Sequence, residues 1–393
     1  MGGGPAGSLL AHLLQRAGVD CAIVELRSKD HVLGRVRAGV IEHGSAERLR
    51  AVGLGSRMDA EGSRHHGVNL AHAGDMLRID FKGLTGRDVM IFGQTELQKD
   101  LYLALEDSGV PLIDEAADVA IEGIETDRPI VSYTREGERR SLVASIVVGC
   151  DGGHGVSGQL LPEAVKTTYE RVYPFTWVGV LSETPPVRDE LIYANHDRGF
   201  ALCSMRNAAL SRYYVQGDAD ATVDDWPDDR FWEELAARLP EEVRSDLVTG
   251  TSIEKIVTPL RSKVTEPMRH GSLFLAGDVA HLVPPTGAKG LNLAISDVSL
   301  LADAIIDRFT AGSTAGLDEY SDRALARVWR AVRFSWWMTM LMHRFPGVAD
   351  DFDRRLQRAE LDYLFSSVTA QRSLAENYVG LPLTPQGGGD GLI

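Results

Sequence analysis

The sequence has little positive charge, few cysteines and no long apolar run. Its 41 lysines and arginines are outnumbered by 56 aspartates and glutamates, so its formal net charge is −15. This charge repels nucleic-acid phosphates and anionic lipid surfaces, and we expect neither as a partner. The apolar stretch at 334–342 is well short of the roughly 18–20 residues of a bilayer span. The N-terminus lacks the regions of a signal peptide, so we expect a cytoplasmic protein.

The three cysteines, Cys21, Cys150 and Cys203, are far apart and lie in apolar contexts. This pattern is typical of reduced core thiols, whereas metal ligands come at short regular spacings. We therefore expect no metal site.

An apolar strand is lacking at the N-terminus. Gly2, Gly4 and Gly7 have the spacing G-x-G-x-x-G before a helix-like run, which is the turn that holds a dinucleotide pyrophosphate at a helix N-terminus. Glu25 ends the next apolar run, 18 residues after Gly7, where a carboxylate reaches ribose hydroxyls. Only Met1 precedes the turn, so we expect the native product to begin upstream of this start.

The rest of the chain predicts an α/β fold. Apolar runs ending at Asp151 and Asp278 are typical of buried strands, and the second leads through a Pro/Gly loop to a helix after Gly290. The segment 167–216 is rich in β-branched and aromatic residues and predicts an antiparallel sheet.

Four polar residues of that segment share a strand face in pairs. Ser204 and Arg206 are two apart, as are Arg212 and Tyr214, so each pair points to one side of its strand. If the strands form a hairpin, the four groups converge and offer an arginine fork, a hydroxyl and a phenol to a carboxylate. A solvated sheet face is the alternative.

Longer motifs carry a resemblance to a known family. They are GRVRAG (34–39), FGQTEL (92–97), GCDGGHG, ERVYPFTW, LIYANHDRGFALCS, SRYYVQ, LFLAGDVAHLVPPTGAKGLNLA, RFSWWMT and ENYVGLP. Along nearly the whole chain the sequence resembles the class A flavoprotein aromatic hydroxylases. The resemblance implies a Rossmann-like FAD-binding domain with a parallel sheet, an antiparallel substrate-binding sheet and a helical C-terminal region.

The resemblance also implies domain limits and an assembly. We expect a discontinuous FAD-binding domain at 1–65, 90–165 and 262–295, a substrate-binding domain at 66–89 and 166–261, a helical C-terminal dimerisation region at 296–385, and a disordered tail at 386–393. The expected assembly is a homodimer.

The implied activity is an FAD-dependent monooxygenase. It would convert 4-hydroxybenzoate to 3,4-dihydroxybenzoate with NAD(P)H and O2, through a flavin C4a-hydroperoxide. Two alternatives stay open: a related hydroxylase for 3-hydroxybenzoate or 4-aminobenzoate, and a flavin-binding protein without turnover.

The resemblance assigns roles to individual residues. Ser204, Arg206 and Tyr214 bind the substrate carboxylate. Tyr193 contacts the phenolic oxygen, and Pro285 supplies a backbone carbonyl near the reacting carbon. Tyr378 and then His65, beside His66, lead the phenol proton to solvent. The implied FAD-binding residues are Gly2, Gly4, Gly7, Glu25, Arg35, Arg37, Gln94, Asp278, Leu291 and Asn292.

The implied NAD(P)H site lacks one positive charge. Arg37, His154 and Arg261 are its candidates, but Gly158 stands where the family has a basic residue after the GCDG motif. Losing a phosphate contact predicts that NADH serves comparably to NADPH, and a large preference for NADPH would contradict this.

Overall fold

The computed structural model describes residues 1–34, 39–345 and 351–382. The described helices are α1 (Pro5–Arg16), α2 (Lys29–Leu33), α3 (His43–Ala51), α4 (Ser56–Glu61), α5 (Phe81–Thr85), α6 (Gln94–Ser108), α7 (Asp228–Ala237), α8 (Glu241–Arg244), α9 (Gly290–Thr310), α10 (Ala315–Met342), α11 (Asp351–Ser366) and α12 (Val368–Val379). Short 3₁₀ turns occupy Ser157–Gln159, Gly277–Val279 and Pro285–Gly287.

The strands alternate with these helices in the first half of the chain and dominate its middle. They are β1 (Ile23–Val24), β2 (Val40–Ile41), β3 (Ser63–His65), β4 (Gly67–His72), β5 (Asp75–Asp80), β6 (Val89–Ile91), β7 (Leu112–Ile113), β8 (Ala117–Glu122), β9 (Ile130–Arg135), β10 (Glu138–Val143), β11 (Val147–Gly149), β12 (Thr167–Ser182), β13 (Ile192–Asn195), β14 (Ala201–Asn207), β15 (Leu210–Asp218), β16 (Ser252–Glu266), β17 (Arg269–His270), β18 (Leu273–Leu275) and β19 (His281–Leu282).

The middle strands form an eight-stranded sheet in the order β19-β16-β12-β15-β14-β13-β4-β5. Its neighbours are antiparallel except β13 and β4, which run parallel. Alternate residues enter two cores: Tyr193 and Leu202 join a cluster with helices α10 to α12, whereas Tyr213 joins Phe231 and Trp232 of α7. The predicted antiparallel sheet is confirmed.

Shorter parallel pairs lie near the glycine turn. β1 pairs with β7, and β11 pairs with β18, both in parallel register. Met1 and Gly2 lie between these pairs: the Met1 ammonium donates to Val148 O and Gly2 N–H donates to Val24 O, each at 2.8 Å. Met1 and Gly2 thus connect the two parallel pairs through backbone hydrogen bonds. Parallel strands beside helices are typical of the predicted α/β class.

Helix α1 forms the core beside this turn. Pro5 occupies its first turn, where proline's missing N–H removes no intrahelical bond. Its leucines are buried, and the helix packs against α6 and α9. This packing fixes the direction in which the α1 N-terminus points.

The C-terminal region is helical, as predicted, with α10 extending over 28 residues. Across 1–34, 39–345 and 351–382, no helix is both long and apolar enough to cross a membrane. The expected tail at 386–393 lies outside the described residues.

Candidate active site

The glycine turn leaves open space at the N-terminus of α1. Gly2 has a positive φ of 91°, which residues other than glycine rarely adopt. A Cβ on Gly7 would come 2.0 Å from Gly2 O, whereas a Cβ on Gly4, the α1 N-cap, would meet nothing within 4 Å. The unpaired N–H groups of a helix start beside such a space suit a phosphate. The turn therefore fits a dinucleotide.

Glu25 lies directly beside the turn, as its spacing predicted. One carboxylate oxygen accepts from Gly3 N–H at 2.6 Å, and the other accepts from Arg27 N–H at 2.8 Å. The side chain is half-buried at the end of β1, so the carboxylate is held near the position that a ribose hydroxyl would take.

Three side chains that the motifs did not indicate hold the turn in place. Gly3 O accepts from Ser8 Oγ at 3.0 Å, from Gln98 Nε2 at 3.1 Å and from Tyr102 Oη at 2.9 Å. Gln98 and Tyr102 follow the candidate Gln94, the first residue of α6, at four-residue steps. That spacing puts them on one helix face and is the signal that could have identified them.

Asp278 lies in the 3₁₀ turn Gly277–Val279, and Asn292 lies in the first turn of α9. Asp278 is half-buried in the turn that begins at Gly277, whose φ is +73°. The amide of Asn292 accepts from Glu42 N–H at 2.8 Å and donates to Val40 O and Ala288 O, each at 2.9 Å. Its polar atoms thus tie β2 to α9, with Leu291 half-buried beside it.

Two further FAD candidates, Arg35 and Arg37, lie outside the described residues. Pro285 is exposed in its 3₁₀ turn, and its carbonyl accepts from Ala288 N–H at 2.9 Å.

Tyr193 and Tyr378 meet inside the protein, although 185 positions separate them. Their hydroxyl oxygens are 2.9 Å apart, and each residue is 1% exposed. Burial raises the pKa of Tyr193 to about 12 and raises that of Tyr378 as well. Both hydroxyls are therefore protonated at neutral pH, so one can donate to the other while the second accepts.

The hairpin on which the predicted convergence depends is present, since β14 pairs with β15 in antiparallel register. Ser204 lies opposite Arg212, and Leu202 lies opposite both Tyr214 and Tyr193, so these side chains share the face that packs under the C-terminal helices. Ser204 Oγ donates to Arg212 O at 2.8 Å, and Arg212 Nε lies 3.3 Å from Tyr214 Oη.

The two arginines of this face, Arg212 and Arg206, differ in their ion pairing. Arg212 is fully buried and donates to Glu254 at 2.8 Å. Arg206 sits in a register shift between Met205 and Asn207. Among the described residues it forms no salt bridge, its Nη1 reaches Met205 O at 3.4 Å, and its buried Nε has no hydrogen-bond partner. The carboxylate of Glu254, which pairs with Arg212, also acts on the charge of Arg206. Burial lowers the pKa of Arg206. The two guanidiniums and one carboxylate therefore leave the site with a net positive charge.

His65 is closed off from solvent. It is 1% exposed, and neither ring nitrogen has a hydrogen-bond partner within 1–34, 39–345 and 351–382. Burial lowers its pKa to about 4. No hydrogen bond joins it to Tyr378, whereas the exposed His66 lies 3.5 Å from Asp88 Oδ2. The predicted outlet is thus not open in this conformation, because the ring is buried.

The nicotinamide candidates are not brought together by any described contact. His154 is exposed in the loop after β11, and Arg261 lies on β16 with Nη1 3.7 Å from Glu170 Oε1. Arg37 falls in the undescribed segment. A Cβ on Gly158 would come 3.0 Å from the Val279 side chain, so the local packing suits glycine.

The fold and the turn define an FAD-binding flavoprotein. Residues 1–335 match the family described as FAD binding domain. The structure is similar to that of p-nitrophenol 4-monooxygenase PnpA from Pseudomonas putida DLL-E4, with a TM-score of 0.81, 20% identity, and coverage of 96% of this chain and 97% of that one. The chain thus belongs to this FAD-binding family and has the same fold as that neighbour.

Sequence comparison gives the narrower family. The chain is 49% identical to the p-hydroxybenzoate hydroxylase of Acinetobacter baylyi over 97% of its own length and 94% of the relative's. It belongs to that family of flavoprotein aromatic hydroxylases. It is 25% identical to a 3-(3-hydroxy-phenyl)propionate/3-hydroxycinnamic acid hydroxylase of Paraburkholderia xenovorans, over 79% of this chain and 51% of that one. The resemblance drawn from the motifs is confirmed.

Proposed function

We propose that this protein hydroxylates 4-hydroxybenzoate to 3,4-dihydroxybenzoate with NAD(P)H and O2. The observation that carries the proposal is a sheet face with excess positive charge, where Arg206 and Arg212 share one carboxylate, and a buried pair of phenols, Tyr193 and Tyr378. A ring with a carboxylate at one end and a hydroxyl at the other matches both groups. The 49% identity to a p-hydroxybenzoate hydroxylase supports the same substrate.

The carboxylate end is assigned to Ser204, Arg206 and Tyr214. Arg206 would donate charge-assisted hydrogen bonds to the substrate carboxylate. The hydroxyls of Ser204 and Tyr214 would hydrogen-bond to its remaining lone pairs. Arg212 is neutralised by Glu254, so it serves to hold Tyr214 rather than to attract the acid. A single anion fits a site with a single net positive charge.

The phenol end is assigned to the tyrosine pair. A phenol ionises near pH 10 in water, yet the phenolate is the more electron-rich ring for attack on oxygen. Tyr193 would hydrogen-bond the substrate oxygen, and Tyr378 would take the next position in the relay. His65 would accept the proton last, which requires a local opening because its ring is buried.

FAD would be held by Gly2, Gly4, Gly7, Glu25, Gln94, Asp278, Leu291 and Asn292, together with Arg35 and Arg37. When bound, it accepts electrons from NAD(P)H and activates O2. The open space at Gly4 and the nearby carboxylate of Glu25 support this fit. The Pro285 carbonyl would lie near the reacting carbon.

The proposal includes three regions: an FAD-binding domain (1–65, 90–165, 262–295), a substrate-binding domain (66–89, 166–261) and a helical region (296–385). It also includes a homodimer. The free thiols of Cys21, Cys150 and Cys203 support a reducing, cytoplasmic location.

The test is oxidation of NADH and of NADPH by the FAD-supplied protein, with and without 4-hydroxybenzoate, with the product identified by chromatography. We expect strong stimulation coupled to 3,4-dihydroxybenzoate. We expect the two nucleotides to give comparable rates, because Gly158 supplies no phosphate contact. The Arg206→Gln variant should bind 4-hydroxybenzoate about 10- to 100-fold more weakly. The control Arg140→Gln, at an exposed position on β10, should behave as wild type.

The other outcomes are informative. Product only from 3-hydroxybenzoate or 4-aminobenzoate would replace the substrate assignment. Tight FAD with no NAD(P)H consumption under any condition would favour a flavin-binding protein without turnover. Peroxide without product would show that the acid is recognised but not hydroxylated.

A further inference from the structure

His343 is a buried imidazole that the reaction described above does not use. It follows the last residue of α10 and is 0% exposed. Its ring lies between Phe175, at 4.6 Å between centroids and nearly parallel, and Phe200, at 4.4 Å. A polar ring in the centre of an aromatic cluster costs free energy unless its nitrogens are hydrogen-bonded.

Both nitrogens of His343 are hydrogen-bonded. Nδ1 lies 3.0 Å from Thr339 O, and Nε2 lies 2.6 Å from Trp177 Nε1. A carbonyl only accepts and an indole N–H only donates, so Nδ1 carries the proton and Nε2 accepts. Burial lowers the pKa of His343 to about 3, so the ring is neutral at physiological pH. One tautomer is therefore imposed.

The partner of His343 borders the proposed substrate site. Trp177 packs against Tyr214 at 5.0 Å and against Phe200 at 4.9 Å, and Phe200 lies 6.0 Å from Tyr193. A Cβ on Gly179, two residues along β12, would come 2.6 Å from the Tyr214 ring. The Tyr214 ring thus packs directly against β12 and contacts Trp177.

The other side of His343 leads to the loop of Pro285. Thr339 donates its hydroxyl proton to Ser335 O at 2.7 Å, and its Oγ1 lies 3.1 Å from the hydroxyl of Thr286. A Cβ on Gly287 would come 2.5 Å from Ser335 Oγ, so the loop packs directly on α10. The end of α10 therefore contacts both the sheet and the loop.

We propose that His343 is a positioning residue that holds Trp177, and through it Tyr214, in a fixed place relative to the Pro285 loop. The inference rests on the proposed function, because its consequence is the alignment of the aromatic acid with the reacting centre. The ring of His343 fills space, but the acceptor Nε2 is the part that fixes the indole.

Two variants separate these contributions. His343→Phe keeps an aromatic ring but removes the acceptor, whereas His343→Gln restores an acceptor near the position of Nε2. Tyr320→Phe is the matched control, because it removes another buried hydrogen bond of α10, to Leu275 O at 2.8 Å, in the core that contains α1 and α9. All variants are assayed as FAD-loaded full-length protein.

We expect His343→Phe to weaken 4-hydroxybenzoate binding and to lower the product formed per NAD(P)H, each about three- to tenfold. His343→Gln should stay within about twofold of wild type, since one hydrogen bond is restored. In a Trp177→Phe background, His343→Phe should add no further loss, because the indole donor is already absent. Equal losses in His343→Phe and Tyr320→Phe, or additive losses in the double variant, would overturn the proposal.

A second readout is independent of turnover. The Trp177 indole N–H is followed by NMR in ¹⁵N-tryptophan-labelled protein and assigned with Trp177→Phe. We expect its protection from hydrogen exchange to fall in His343→Phe and to persist in His343→Gln. A protected indole in His343→Phe would refute the positioning role. Absence of product from the wild-type protein would instead refute the proposed function, with the indole result still deciding the role of His343.

Discussion

At the scale of single residues, burial decides which groups of this site carry charge. Tyr193 and Tyr378 stay protonated, and His65 and His343 stay neutral, because each has lost its hydration. Arg206 and Arg212 share the single carboxylate of Glu254, which leaves a net positive charge. Neutral hydroxyls can hydrogen-bond to a phenol, and a positive charge attracts a carboxylate. Together they match a phenolic acid.

The buried imidazole of His65 makes a prediction about stability and pH. Its pKa in the folded protein is about 4, against about 6.5 in an unfolded chain. Between these values the unfolded chain binds a proton that the folded protein excludes, so stability falls as the pH falls from about 6.5 towards 4. The loss approaches about 1.4 kcal/mol per pH unit.

The measurement is urea unfolding of the FAD-saturated protein at pH 7 and at pH 4.5. The difference in unfolding free energy between these pH values should shrink by about 2 kcal/mol in His65→Gln. The control is His66→Gln, at the exposed neighbouring position. Identical pH dependence in wild type and His65→Gln would show that His65 is hydrated or paired in solution.

At the scale of elements, two described turns of the proposed cofactor site are held by side chains from neighbouring helices. α6 holds the glycine turn through Gln98 and Tyr102. α9 holds the Gly277 turn: Asp297 Oδ2 accepts from Gly277 N–H at 2.9 Å and lies 2.6 Å from His281 Nε2. Asp297 and His281 are both 1% exposed. Helix packing therefore positions backbone that glycine alone leaves free.

The role of Asp297 is testable through cofactor affinity. Asp297→Ala removes the acceptor of both bonds, so the turn carrying Asp278 should lose its fixed shape. We expect FAD to bind at least about tenfold more weakly, measured by titrating the apoprotein with FAD and following flavin fluorescence. Asp303→Ala is the control, because that carboxylate lies on the surface of the same helix. Unchanged FAD affinity in Asp297→Ala would mean that the turn is held by other contacts.

At the scale of the whole molecule, helices α10 and α11 expose large apolar side chains. Trp329, Trp336 and Met340 follow each other at helical spacing on α10, and Leu356 and Tyr363 are exposed on α11. Clustered apolar surface of this kind is typical of interfaces. The face is consistent with the proposed homodimer, in which a second copy would cover it.

The assembly prediction is checked by light scattering after size exclusion. Wild-type protein should have twice the mass of one chain. The double variant Trp336→Glu, Leu356→Glu should shift to the monomer mass at micromolar concentration, because burying two carboxylates in an apolar interface is unfavourable. Phe309→Glu, at an exposed site on α9, should remain dimeric. A wild-type monomer would refute the homodimer.

The sequence by itself predicted the features that depend on near neighbours along the chain. Alternation with period two predicted the antiparallel sheet, and glycine spacing with Glu25 predicted the turn and its carboxylate, because local backbone constraints appear directly in residue order. The motif resemblance extended this to the tyrosine pair and the carboxylate site.

Only the tertiary structure decided which distant groups meet and which lose water. Gln98 reaches Gly3, His343 joins Trp177 to the α10 end, and Glu254 rather than a ligand neutralises Arg212. The burial of His65 likewise depends on how β3 packs. These contacts form between segments far apart in sequence, and their geometry is set by the packing of whole elements, which no local pattern of residues specifies.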